Sequence, residues 1–207
     1  PAVRKKIDAV LGDHLLVEVA NWPDFIKSEK NWGFAGKWHY MTVQPDETVE
    51  AVLARGAQNE EVDNVLEAIY LMQAVLRGEE AAASQLEGIM QANNVEPLAG
   101  SVEATALAFF LHFIGDIHQP MHVGKNKDLG GNKIAVEFFN ERNNLHAVWD
   151  SGIIEQEKLS YTEFSLFVEK HHSKQKKTME QAEPIDWAKE SVIHRELIYR
   201  TLYDKTN

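Results

Sequence analysis

The chain has 207 residues, 44% of them hydrophobic and 26% charged, a composition and length that suit one domain with a sizeable core. It contains no cysteine, so disulfides and thiolate metal sites are excluded and any metal must be held by His, Asp, Glu or backbone oxygen. A formal net charge of −11 excludes a broad basic face that grips duplex backbone, and no stretch approaches the roughly 20 apolar residues of a membrane span.

Taken in chain order, residues 3 to 20 have helical spacing, with Val3, Ile7, Val10 and Leu11 on one face and Gly12 as a stop. A short helix from His14 to Ala20 runs into Asn21-Trp22-Pro23-Asp24, and Pro23 suits the first turn of a further helix through Lys30. Trp32 to Val43 is a Gly- and Trp-rich connection containing His39. Amphipathic helices are predicted over Glu47 to Ala54, Glu60 to Arg77 and Ala81 to Ala92. The loop from Asn93 to Gly100 ends at Ser101, a good N-cap, with Glu103 in the first turn of the next helix.

That helix holds the organising stretch, Ala106 to His122, which reads ALAFFLHFIGDIHQPMH. It is apolar on several faces, yet it carries His112, Asp116, His118 and His122. His112 and Asp116 are four apart and lie one turn above the other on a helix that Pro120 stops near Gln119. A buried carboxylate is costly unless paired or metal-bound. A lone His here would read as a satisfied core histidine, but this density of imidazole and carboxylate suits zinc.

Beyond it, Gly124 to Asn132 reads as a polar, Gly-rich surface loop. Lys133 to Phe139 alternates as a strand, with room for a small hairpin. Asn143 to Ile154, Thr162 to His172 and Asp186 to Tyr203 have helical spacing. His146 and Asp150 repeat the i,i+4 pairing, a weak signal alone. Asp24 and His39 are further candidates, although an Asp beside Trp and Pro is usually a cap and a His between aromatics is usually packing. His118 reads as structural or as a support to the ligands, and His14, His171, His172 and His194 as surface or helix residues. The expected fold is mainly α, a single domain over 1–207 with a small β-hairpin, and no repeat or linker interrupts it.

HFIGDIHQPMH, then GGNK, then NLHAVWD, together resemble the zinc-dependent, single-strand-specific nucleases of the S-one/P-one type, over the whole chain from NWPDF to DWAKES. The resemblance implies a helical fold like that of zinc phospholipases C, with three zinc ions in one cleft. It assigns Asp24, His39, His112 and Asp116 to a first zinc, and His122, His146 and Asp150 to a second. Asp116 would bridge to a third, which also takes the amine and carbonyl of an N-terminal Trp and a nearby His. Neither has a match here, so the third site is expected to be incomplete in this chain, which would lack an N-terminal segment, and a removed signal peptide is expected in a secreted or periplasmic protein.

The resemblance implies hydrolysis of single-stranded DNA and RNA to 5′-phosphate products, with 3′-nucleotidase activity, by a monomer with no membrane partner. A water shared by the first and third zinc would attack phosphorus, Asp24 would orient it, and the second zinc would stabilise the leaving 3′-oxygen. Lys27 stands where the family usually has Arg, keeping the charge and losing the bidentate fork, and otherwise reads as a solvated helix residue. Tyr40 stands where a base-stacking Phe is common, against a plain reading as a core aromatic. Asn132 matches a base-contacting Asn, and Thr42 replaces an Asp that contacts the base in some members. A zinc phospholipase C-like phosphodiesterase and a catalytically incomplete zinc-binding protein remain alternatives. Membrane-facing aromatics near the ligands would favour the former, and none stands out in the sequence.

Overall fold

The computed structural model describes residues 2–58, 61–174 and 179–204. The described chain is mainly helical, with strands of two to four residues, as the sequence predicts. Its contacts divide it into two compact units: residues 1–41 with 51–117, and residues 42–50 with 118–207.

In the first unit, α1 (Ala2–Leu11) is followed by α2 (Leu16–Ile26). The backbone N–H of Leu15 donates to the Glu18 carboxylate at 3.2 Å, which satisfies one of the orphan donors at the start of α2. Pro23 is not in a first turn as expected but inside α2, where it is buried with Val19 and Ile26. Its ring cannot donate to the carbonyl of Val19 and so loosens the turn, while burial of this apolar face holds the helix together. A 3-10 segment, Lys30–His39, replaces the expected open connection and buries Trp32, Ala35, Trp38 and His39.

Strand β1 (Met41–Thr42) leads to α3 (Val49–Gly56). Helix α4 (Val65–Leu76) starts later than expected, because Asn64 is its N-cap; the expected start at Glu60 lies outside the described residues. Asn64 Oδ1 accepts from the N–H groups of Leu66 and Glu67 at 3.0 and 3.1 Å. Helix α4 buries Leu66, Ile69 and Met72, and α5 (Glu80–Ala92) buries Leu86 and Met90.

Helix α6 (Val102–His118) is capped as predicted, the Ser101 hydroxyl accepting from Ala104 N–H at 3.1 Å. Its buried Ala104, Leu107 and Ala108 pack with Leu11 and Val19. An aromatic cluster fills the next layer, with Phe109 edge-on to Trp38 at 5.4 Å and to Trp22 at 5.6 Å. Each such ring pair adds about 0.5–1.5 kcal/mol beyond its burial, and the cluster ties α2, the 3-10 segment and α6 rigidly together.

The second unit contains β2 (Val123–Gly124) and an antiparallel hairpin, β3 (Ala135–Phe138) and β4 (Glu141–Asn144), with Val136 opposite Asn143. The segment expected to be a surface loop is only partly one. Gly124, Gly130 and Gly131 are buried, and a Cβ on Gly130, whose φ is +59°, would lie 2.4 Å from the carbonyl oxygen of Met121. Close backbone packing, not solvation, explains these glycines. The helix expected from Asn143 begins instead behind β4, with Asn144 as its cap. It runs as α7 (Leu145–Ala147), a π turn (Val148–Gly152) and α8 (Ile153–Gln156). Helix α9 (Tyr161–His172) has no buried residue, and α10 (Pro184–Asp204) closes the unit, its Tyr199 packing on Met121 and Leu145.

Asn64→Ala should lower the unfolding free energy by about 1 kcal/mol, as loss of an N-cap does, and Asn64→Asp should restore most of it. Denaturant unfolding of the three proteins checks this; equal stability of all three would show that the cap contributes nothing.

Candidate metal centre

The first group lies wholly in the first unit. Helix α6 is buried around Phe113 and Ile117, so its i,i+4 pair His112 and Asp116 is carried into protected ground. The aromatic cluster sets His39, whose ring is edge-on to Phe113 at 5.3 Å and to His112 at 4.9 Å. Helix α2 supplies Asp24. Four atoms converge: His39 Nδ1 is 3.0 Å from Asp116 Oδ2 and 3.6 Å from Asp24 Oδ1, and His112 Nε2 is 3.3 and 3.4 Å from the same two oxygens.

His112 Nδ1 stands 2.9 Å from the carbonyl oxygen of Ala20. A carbonyl can only accept, so this nitrogen carries the proton and Nε2 turns to the carboxylates. A carbonyl oxygen has two lone pairs, so a helix carbonyl such as that of Ala20 can accept from a side chain. His112 Nε2 is buried and aligned for a good hydrogen bond with neither carboxylate.

The second group lies wholly in the second unit. Pro120 ends α6 in a turn where His122 N–H donates to Gln119 O at 2.9 Å, and this presents the His122 ring. His122 Nε2 is 3.2 Å from Asp150 Oδ1, and the rings of His122 and His146 stack at 5.0 Å. His146 Nδ1 donates to the carbonyl of Gly130 at 2.9 Å, the same device as at His112. The π turn carries Asp150, so the pair expected on one regular helix face is brought together across an α-to-π junction.

Gln119, by sequence only the end of a helix, belongs to this group as well. Its amide donates to Asp150 Oδ1 at 3.3 Å while its oxygen accepts from Met121 N–H at 2.5 Å. Only its place between the two ligand blocks hinted at this.

Both sets suit a metal ion. Asp24, His39 and His112 offer ligand atoms within 4.8 Å of one another, and so do His122, His146 and Asp150. A tetrahedral ion with bonds of about 2.0–2.2 Å holds its ligand atoms about 3.3–3.6 Å apart, close to the 3.0 to 3.6 Å that separates each imidazole nitrogen of the first group from the Asp24 and Asp116 oxygens. The all-N,O donor set fits zinc.

Lys27 pairs with Asp24 Oδ1 at 2.5 Å, which puts its ammonium at the exposed edge of the first group. Tyr40 is 49% exposed, against the plain reading of a core ring. Thr42 is half-buried, and exposed Asn132 donates to Leu129 O at 2.9 Å. His118 packs its ring on Trp187 at 5.3 Å, and His14, His171, His172 and His194 are exposed, as expected.

Charge follows this geometry. His112 beside it holds the Asp24 carboxyl well below the usual carboxylate range, against the opposing effect of burial and with help from Lys27. Asp150 is likewise lowered, chiefly by His122. Burial pulls His112 down, but Asp24 and Asp116 together leave it raised. A raised histidine contributes stability that is present below its unfolded value, about 6.5, and lost as pH rises through its folded value. The lowered aspartates contribute stability that is present above about 3.9 and lost as pH falls through their folded values. The metal-free protein should therefore be most stable between these ranges. Metal needs neutral imidazole, so zinc should move the optimum upward. Thermal unfolding from about pH 3 to 9, with chelator and with zinc, checks this, and an optimum that zinc leaves unmoved would contradict it.

Residues 1–206 match the family model for S1/P1 Nuclease. Endonuclease 4 of Arabidopsis thaliana is 35% identical over 170 residues, covering 80% of this chain and 52% of that protein. Nuclease S1 of Aspergillus oryzae is 30% identical over 160 residues, covering 74% of this chain and 48% of that protein. Nuclease P1 of Penicillium citrinum is 46% identical over 54 residues, 26% of this chain and 20% of that protein. The chain spans about half the length of the curated relatives that it matches over most of its own. With its whole described length inside that match, this chain belongs to the S1/P1 nuclease family.

Proposed function

We propose that this chain forms one zinc nuclease domain that hydrolyses phosphodiester bonds of single-stranded DNA and RNA to 5′-phosphate products and acts on 3′-nucleotides. This reading is supported above all by the gathering of ligand atoms of Asp24, His39 and His112 within 4.8 Å of one another, with Asp116 Oδ2 3.0 and 3.3 Å from the two imidazoles, in a chain of this family. His39, His112, Asp24 and Asp116 would hold one zinc, and His122, His146 and Asp150 another. When bound, zinc polarises phosphoryl oxygens and lowers the pKa of its water toward neutrality.

The protein's own groups supply the rest. Asp24 keeps a charged carboxylate at neutral pH, able to accept a proton-side hydrogen bond from an attacking water and so to orient it. Lys27 offers a compact cation beside it for the negative charge that gathers on phosphorus oxygens, though without the paired donors of Arg. Phe25 next to Asp24 is 73% exposed and Tyr40 next to His39 is 49% exposed, so rings flank two ligands in sequence. Either ring can stack only on a base already out of a duplex, the physical ground for a single-strand preference. Asn132 and Thr42 are the proposed base contacts of the second unit. An acidic protein that binds single strands does so at a local cationic point, which bound metal supplies. No described helix is long and apolar enough to cross a membrane. From the family alone, we read the protein as a secreted or periplasmic monomer.

The test compares hydrolysis of single-stranded DNA, duplex DNA, RNA and phosphatidylcholine, with zinc and with chelator. Zinc-dependent cleavage of the single strands, with duplex spared, is expected. Cleavage of phosphatidylcholine alone would replace this reading with a lipid phosphodiesterase. Tyr40→Ala should weaken oligonucleotide binding by about 1–3 kcal/mol per base while leaving thermal stability nearly unchanged. An equal loss of stability and binding would mark the ring as a packing residue instead.

A further inference from the structure

Helix α10 carries two buried polar residues one turn apart, Arg195, which is 1% exposed, and Tyr199, which is 5% exposed. Arg195 Nη1 donates to the carbonyls of Val123 at 2.6 Å, Val43 at 2.9 Å and Gly124 at 3.3 Å. Val123 directly follows His122. The guanidinium charge is balanced by Glu196 Oε1, 3.1 Å from Nε and 3.0 Å from Nη2. A buried charged donor serving three carbonyls makes stronger bonds than neutral donors would, so it fixes the backbone behind His122 firmly.

The other ligand is held through a longer chain. The Tyr199 hydroxyl donates to Asp128 Oδ2 at 2.9 Å, and Asp128 Oδ1 accepts from the Gly131 N–H at 2.8 Å. This closes the turn containing Gly130, whose carbonyl takes the Nδ1 proton of His146. Gly130 sits at φ +59° with its Cα against Gly124, so the two anchored stretches touch.

We propose that Arg195 and Tyr199 are positioning residues for the second metal group, aiming His122 and His146 without touching metal or substrate. This rests on the reading of His122, His146 and Asp150 as ligands. Outer partners of a metal-bound histidine commonly change affinity 10- to 100-fold when removed. Tyr199→Phe deletes one O–H group and no volume, which makes it the sharper probe, and Asp128→Asn reads the same link should the first variant not fold.

The experiment strips the full chain with chelator and titrates it with zinc in competition with a chromophoric chelator, then with Co(II) followed by its visible absorption. Tyr199→Phe should weaken one class of site by about 10-fold, leave the other class at its original affinity, and alter the cobalt spectrum of the weakened class. In a His146→Ala background the same change should have little further effect. Unchanged affinity at both classes, or an equal weakening of both that persists in the His146→Ala background, would overturn the proposal. If His146→Ala alone binds as many ions as the unaltered chain, the ligand reading beneath it fails instead.

Discussion

The hydrogen bond from an imidazole Nδ1–H to a backbone carbonyl is the constraint on which both groups depend. His112 gives its proton to Ala20 and His146 gives its own to Gly130, each at 2.9 Å. A neutral imidazole has one donor and one acceptor, so spending the donor on a fixed carbonyl leaves the lone pair of Nε2 for a metal. The folds that supply these carbonyls are different. One carbonyl belongs to a turn of α2, and the other to a glycine in the left-handed region that turns the chain at Gly130. The same chemistry is reached from two unrelated pieces of backbone.

Around the first group the energetics favour a cation. A carboxylate that is as buried as Asp116 is costly alone, and here it faces two imidazoles and, across them, a second carboxylate. Without metal, protons must share that role, which is why His112 is raised and Asp24 lowered together. The aromatic layer of Trp22, Trp32, Trp38 and Phe109 carries no charge and contributes rigidity. It fixes the entry of His39 to within the reach of Asp116, a job that flexible aliphatic side chains would do less well.

What was legible in the sequence follows from which signals are local. The i,i+4 spacing of His112 and Asp116, the Ser101 cap and the alternation before the hairpin all depend on neighbours along the chain, and the fold has them. Pro23 departs from its local rule, a preference for a first turn, because the burial of Val19, Pro23 and Ile26 outweighs it. The Gly-rich loop looked solvated by composition, whereas Gly124, Gly130 and Gly131 are small so that backbones can meet, a tertiary demand that residue type alone does not announce. Asp150 was paired correctly with His146 but on a π turn, since nothing in LHAVWD marks the extra backbone width. Arg195 escaped notice for the plainest reason: a single basic residue in an amphipathic helix reads as solvated, and only the fold brings three carbonyls to it.

The position of bound metal is the most direct test of these two groups. Crystals of the zinc-loaded protein, measured on both sides of the zinc absorption edge, would place each ion directly. One anomalous peak is expected bounded by His39, His112, Asp24 and Asp116, and another bounded by His122, His146 and Asp150. Peaks confined to surface histidines such as His171 and His172, with neither group occupied, would contradict that expectation.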